Sequence, residues 1–410
     1  MRRNKPRQRP TPQKLRCLAL VCLLLTFLSV LLFVRSFRIS DLMNDQLWTQ
    51  PYPEPKPEPV RTEAAATQEQ VISFAPVKNT KTLLLSAYQE HRTNRKEVRV
   101  IAVVLRSEKA AYRCIFCCQE QQYVSEGVSN IHQDHYNFPY GTADIMCPVP
   151  SGCEAPTHIT VKSAANFSQD TTHHELLKIR NQEVQSDKFD FNFTVCFSTM
   201  FNFTNVLQLV QSLTMLQLLG VNRVVIYKTD CSPEIQRILD YYIGKGFVEL
   251  IPWSLSKFMN VSYGWLPEHG PGQIHYNNVF PKDVVLPPPP LAEAAPSWEL
   301  WKNISGVNIL DHLYQEPVTK ETYYVQFKII VNPRAVFSTS VHGVQRSQNG
   351  CAWVDRNIAR MHHTRDKRQP QLQPSQLIYD DRLLSFSAPL IRTVNAVLRE
   401  NGLLPAEDKL

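Results

Sequence analysis

The chain has 410 residues, 43% of them hydrophobic and 20% charged, with 44 lysines and arginines against 37 acids and a formal net charge of +7. The excess is confined to one end: residues 1–16 hold seven of the 44 basic residues and no acid, so the remaining 37 balance the 37 acids. A balanced remainder exerts no long-range pull on a polyanion, which argues against nucleic acid as a partner.

Directly after the basic tail, residues 17–34 read CLALVCLLLTFLSVLLFV, eighteen residues without a charge or a helix breaker. Such a run can cross a thin bilayer with little tilt. Positive charge flanking one end of a span holds that end in the cytosol, so the sequence predicts a single-pass type II protein with the rest of the chain lumenal or extracellular. A cleaved signal peptide is the competing reading. The apolar run exceeds a usual signal core, however, and 35–38, RSFR, offers no small-residue cleavage site. Five glycosylation triplets, at Asn166, Asn192, Asn202, Asn260 and Asn303, all follow the span, as a secretory topology requires.

Residues 35–95 form a stem in this reading. The stretch QPYPEPKPEPVRTEAAATQEQ is rich in proline and glutamate and lacks apolar periodicity, which suits an extended spacer. From 96 to about 185 the pattern becomes β-branched, beginning with EVRVIAVVL and followed by CIFCC at 114–118, and predicts a small β-rich domain. Eight cysteines follow the span: Cys114, Cys117, Cys118, Cys147, Cys153, Cys196, Cys231 and Cys351. CIFCC could be half of a zinc site, but an oxidising lumen favours disulfides to Cys147 or Cys153, so the cysteines read as staples.

The remainder, 186–410, changes rhythm. FNFTVCFSTM at 191–200 reads as a strand, 205–220 as a helix with Val206, Leu209, Val210 and Leu213 on one face and Gly220 at its stop, and 223–231 as a second strand. Ser232 then caps a helix with Pro233 in its first turn, and FVELIPW at 247–253 is a third strand. Alternation of this kind implies parallel strands joined by crossover helices. Ligands of such sheets lie beyond the carboxyl ends of the strands, here around Thr199, 229–231 and the loop after Trp253. Asp230 stands where it could touch a ribose or base, and equally where a turn aspartate would stand. The loop YGWLPEHGPGQIHYNN at 263–278 is dense in aromatic, imidazole and carboxylate groups, a composition suited to a ligand loop and also, more plainly, to a cover over a sheet end.

Taken together, 191–253, YGWLPEHGPGQIHY, GVNILDHLYQEPV and IVNPRAVFSTSVH are similar to glycosyltransferase family 92, a set of secretory-pathway galactosyltransferases, over about residues 96–400. The resemblance implies an α/β fold of GT-A type, a mixed sheet with flanking helices, preceded here by the β-rich domain and the single transmembrane helix. It further implies a Golgi membrane location, a UDP-sugar donor (UDP-galactose), a divalent cation such as Mn²⁺, and a glycan acceptor on glycoprotein or glycolipid. By the same resemblance Asp230, His269, His275, Arg334 and Arg365 are candidate substrate contacts, Glu268 a candidate base for the acceptor hydroxyl, and His363 a candidate metal ligand. His342 is also retained in the NPRAVFSTSVH run. The HHTRDKR run that holds His363 and Arg365 can equally be a solvated basic loop.

One departure stands out. Relatives carry several dozen residues, ending in an Asp-x-Asp motif, between the segments that here are His275–Tyr276 and Phe280–Pro281. This chain has no Asp-x-Asp anywhere. Its nearest acidic clusters are Asp187 with Asp190, and Asp380 with Asp381, the latter reading as a solvated helix entrance. An in-frame join of the two flanking segments accounts for the loss. Without the carboxylates a hard cation has no seat to offset the charge on the leaving diphosphate, and removal of a strand near the sheet centre leaves an edge unpaired. The expectation is therefore a family 92 glycosyltransferase whose transfer is impaired. The alternative is a catalytically silent lumenal protein that binds glycans or partner transferases through 263–278.

Overall fold

The computed structural model describes residues 74–259 apart from 120, 136–137, 166, 168–174 and 184–188, and then 277–278, 298–311, 313–315, 317, 328–340, 343–355, 358–359, 363–364 and 374–406. The basic tail, the expected anchor 17–34 and most of the expected stem lie outside these residues. Among the described residues no helix is long and apolar enough to cross a membrane.

Eight strands open the described chain: β1 (Ala75–Pro76), β2 (Leu83–Gln89), β3 (Glu97–Leu105), β4 (Tyr112–Cys118), β5 (Gln121–Ile131), β6 (Tyr140–Pro148), β7 (His158–Ser163) and β8 (Leu177–Arg180). β1 and β2 precede residue 96, within the stretch read as stem. The strand order is β1-β2-β3-β6-β5-β4-β7-β8, and β8 also pairs in parallel with β2, so the sheet closes on itself. β5 serves both sides of this closure. Its first half, to Gly127, pairs with β4, and its end, from Val128, pairs with β6.

Alternation along the strands decides which face is dry. Val98, Val100, Ala102 and Val104 of β3 point inward with Ala143, Ile145 and Cys147 of β6, all at most 3% exposed. Across this core run two disulfides, Cys114–Cys147 and Cys118–Cys153, the partners expected for the CIFCC cluster. The first ties β4 to β6 across the closure. Gly127 sits where β5 turns from one side to the other; a Cβ there would meet Cys114 Sγ at 2.9 Å and Ile145 Cγ2 at 3.1 Å, so the disulfide packs where only glycine fits. The staple expectation needs correction for the other cysteines: Cys117, Cys196, Cys231 and Cys351 are free thiols.

The second core belongs to a parallel α/β unit. Its elements are β9 (Thr194–Met200), α1 (Val206–Leu218), β10 (Arg223–Lys228), α2 (Pro233–Gly244) and β11 (Val248–Pro252). β10 is central, parallel to both neighbours. Each expected element is present within a few residues, including the Ser232 cap, whose hydroxyl accepts from the Ile235 amide. Val206, Leu209, Val210 and Leu213 of α1 are fully buried as their spacing requires. Burial of each contributes about 1.5–3 kcal/mol. Among the described residues β9 pairs only with β10, and Thr194, Cys196 and Ser198 along it are exposed.

Short elements complete the chain: β12 (Asn277–Asn278), β13 (Tyr314–Gln315), β14 (Val336–Ser340), β15 (Gly343–Ser347), β16 (His363–Thr364), β17 (Ile378–Tyr379) and α3 (Ser387–Glu400). α3 covers α1, its Leu390, Val394 and Leu398 joining the same core. Asp380, expected at a solvated helix entrance, is buried instead. Its carboxylate accepts from Arg382 Nε at 2.7 Å and its amide donates to Leu313 O at 2.8 Å, so a local guanidinium neutralises the charge that the sequence pattern assigned to water.

Candidate functional site

The carboxyl ends of β9, β10 and β11 are joined by backbone hydrogen bonds that extend the sheet past its last regular residues. Thr229 N–H donates to Met200 O at 2.9 Å, Ser232 N–H to Phe203 O at 2.9 Å and Trp253 N–H to Lys228 O at 2.8 Å. The Thr229 hydroxyl adds a bond to Trp253 O at 2.8 Å. Asp230 therefore lies at the rim where a doubly wound sheet binds ligands. Its carboxylate is already engaged: Oδ1 accepts from the Asn202 amide at 2.7 Å, holding Asn202 in a left-handed turn at φ 45°. Of the two roles the sequence left open for Asp230, the turn role is visible in this geometry.

The helix termini at the same rim are also engaged. Asn205 caps α1 by accepting from Gln208 N–H at 3.2 Å, and the same Oδ1 accepts from Val307 N–H at 2.9 Å. Leu207 N–H donates to Ser305 O at 2.9 Å. Residues 305–307 thus lie across the start of α1 and consume donors that would otherwise face an anion. Gly306 makes this possible, with φ 122° and no Cβ to strike Asn205. α2 begins with Glu234 in its first turn, which further disfavours a phosphate there. Neither helix start offers a ready diphosphate seat.

A cation site fares no better. Among the described residues no group of three histidine, cysteine or acidic side chains is placed to hold a metal ion. Asp230, the carboxylate at the rim, is bound to an amide. The described residues thus offer no seat for the Mn²⁺ that the sequence resemblance implies.

Of the other candidates, Arg334 lies half-buried with its guanidinium 4.0 Å from the centre of the Phe189 ring, in the segment leading into β9. His363 falls in β16, whose backbone pairs in parallel with β12, Asn277 opposite His363 and Asn278 opposite Thr364. The end of the ligand-loop candidate and the HHTR run are thereby brought side by side. Glu268, His269, His275, His342 and Arg365 lie outside the described residues. Asn192, Asn202 and Asn303 are exposed, while Asn166 and Asn260 lie outside the described residues.

Two features escaped the sequence reading. Asp311, within the GVNILDHLYQEPV run, is half-buried, and burial pushes its carboxyl up to about 6 against an opposing hydrogen bond from Asn308 at 3.0 Å. Gln211 of α1, fully buried, donates to Asn308 Oδ1 at 2.7 Å and accepts from Ile309 N–H at 2.8 Å, which docks this run on the helix. The second feature is an ionic network on the β unit. Glu90 accepts from Arg92 and, at 2.8 Å, from Arg99 Nη2. Arg99 also pairs with Asp144, which His132 Nε2 approaches at 3.1 Å.

Residues 191–281 match the family described as Glycosyltransferase family 92. Over these residues the chain is similar to that family. No curated protein matches the chain. The match spans β9, α1, β10, α2, β11 and β12 and ends at Pro281. It is narrower than the 96–400 over which the sequence resembles the family. The matched segment carries Asp230 and the loop 263–278, whereas Arg334 and His363 lie beyond it.

Proposed function

We propose that the chain is a glycosyltransferase of family 92, a single-pass type II Golgi protein whose lumenal part is built to transfer galactose from UDP-galactose to a glycan acceptor, and that this form of it transfers poorly or not at all. The observation that carries the reading is the parallel unit matching the family over 191–281. The unpaired edge of β9 among the described residues supports the loss of a neighbouring strand. Among the described residues no cluster of acids, histidines or cysteines stands at that rim to seat a cation, and Asp230 Oδ1 serves the Asn202 turn.

The test is a pair of proteins, this chain and one with a family-length segment restored between Tyr276 and Phe280, assayed for Mn²⁺-stimulated transfer from UDP-galactose to galactose-terminated and fucose-bearing acceptors. Restored transfer in the longer protein alone is the expected result. Equal turnover by both would overturn the impaired reading and place the chemistry on residues such as Glu268, His275 or His363. The same engagement of Asp230 also favours a second reading, a silent lumenal protein that binds glycans or partner transferases; glycan binding with no transfer by either protein would select it.

A further inference from the structure

The outer face of the β unit carries a cleft of about 790 Å³, within the usual range of small-ligand pockets, roughly 300–1,000 Å³. Its floor follows from strand register. Arg99, Met146 and Val128 form one row across β3, β6 and β5, and Asp144 and Asn130 sit side by side in the next, all on the face opposite the buried valines. Its wall is the β14–β15 hairpin, which contributes Phe337, Gln345 and Arg346.

The wall is clamped to the floor. Arg92 donates to Val336 O and its guanidinium lies 5.2 Å from the centre of the Phe337 ring, while Arg99 Nη1 reaches Phe337 O at 3.4 Å. Glu90, with a fully buried side chain, holds both arginines. A floor and wall fixed in this way lose little freedom when a ligand binds.

The chemistry of the lining narrows the ligand. Arg99 is answered by Glu90 and Asp144, so the charges of the floor compensate one another and the exposed cations of the cleft are Arg95 and Arg346. A purely apolar ligand would bury that ionic floor without satisfying it. Yet Val128 and Ile131, 58% and 38% exposed, present apolar surface beside the planar polar groups of Asn130, Gln133 and Gln345. Arg346 stacks on Phe337 at 4.8 Å and makes no hydrogen bond through its guanidinium among the described residues. Hydroxyls that both donate and accept, carried on a ring with C–H faces, match this mixture of amides, carboxylate, guanidinium and aliphatic groups.

We propose that the cleft between the β3-β6-β5 face and the β14–β15 hairpin binds a neutral saccharide chain. Its role as a holder of acceptor glycan rests on the glycosyltransferase reading; the binding itself does not. The experiment uses the full chain solubilised in detergent, without donor or Mn²⁺, titrated calorimetrically with a neutral N-acetyllactosamine tetrasaccharide, its sialylated form and UDP-galactose. Saturable binding of the neutral chain is expected, weakened at least tenfold in Asn130→Ala and in Arg346→Ala, whose side chains are exposed, and unchanged in Arg237→Ala on α2. No binding of the neutral chain, binding of the sialylated form alone, or full binding in both cleft variants would overturn the proposal. Binding without transfer by the restored-length protein would sink the transferase reading and leave the cleft standing, whereas transfer without binding would do the reverse.

Discussion

At the scale of single residues, the charges that matter are those removed from water. Burial pushes Glu90 up, but hydrogen bonds from Arg92 and Arg99 outweigh it and hold the carboxyl at about 2 instead of 4.5. A depressed carboxylate adds stability that is fully present above its unfolded value near 4.5 and is lost as pH falls toward about 2. Glu90→Gln leaves the Arg92 guanidinium without its anion and Arg99 with Asp144 alone, and is expected to cost about 3 kcal/mol at neutral pH, read from the urea midpoint. The variant's deficit should shrink between pH 4.5 and about 2; a deficit constant across that window would show that the carboxylate charge is not what holds the clamp. Asp311 has the opposite sign. Its folded value near 6 lies above the unfolded value of 3.8, so the folded state loses stability as pH rises from 3.8 to about 6 and does not recover it above. Asp311→Asn keeps an acceptor for Asn308 and removes that loss, so it should stabilise the protein by roughly 1–2 kcal/mol at pH 7 and by nothing near pH 4. Thermal midpoints at the two pH values decide it.

At the scale of elements, the parallel unit was legible because each signal there is local. A 3.6-residue apolar spacing, a Ser-Pro start and a glycine stop specify α1 and α2 without reference to the rest of the chain. The beginning of the β unit was not legible. LLLSAYQ of β2 follows a proline-rich run, and its partners on either side, β3 and β8, are fixed by pairings across the sheet. The site divides in the same way. The position of Asp230 at the rim could be read from strand order, but its engagement depends on the left-handed turn at Asn202, which aims an amide at it. Likewise the solvated reading of Asp380 failed because the guanidinium of Arg382, two residues on, covers and pairs with its buried carboxylate. Gly306 is the element-scale test of how the rim is closed. An added Cβ would stand 1.9 Å from Asn205 Oδ1, at a φ of 122° that side chains rarely adopt. Gly306→Ala should displace 305–307 from the start of α1, costing about 2 kcal/mol or more and freeing the Leu207 and Val307 amides to exchange. Hydrogen exchange at those two amides measures it directly, and unchanged protection would mean that α1 is capped some other way.

At the scale of the whole molecule, two hydrophobic cores are present and they are stabilised differently. One lies inside the closed β unit, around Val98, Phe116, Ile145 and Ile159; the other lies between the parallel sheet and its helices, around Leu209, Ile226, Ile238 and Val394. Both disulfides are in the first. They close loops with sequence separations of 33 and 35, and a link of that span restricts the unfolded chain by about 3–4 kcal/mol in the loop-entropy account. The second core holds Cys231 at its edge and, among the described residues, no disulfide, and depends on apolar burial with a few buried hydrogen bonds such as Trp301 Nε1 to Asn395 Oδ1. Reduction should therefore weaken the β unit selectively. The two arginines fasten Val336 and Phe337 to the β unit, and Phe74 beside β1 meets Trp253 and Phe258 with ring centres 5.2 and 5.4 Å apart, so contacts of both kinds tie the β unit to the rest of the chain. In wild type the clamp should make the two cores melt close together; with a reductant the β unit should melt first, by several degrees, while the helices of the second core persist. Far-ultraviolet dichroism follows the helices, and intrinsic exchange of the β3 and β6 amides follows the other core. A single transition shifted as a whole by the reductant would show that the clamp couples the two cores more strongly than the disulfides distinguish them, and simultaneous loss in Glu90→Gln as well would remove the arginines from that coupling.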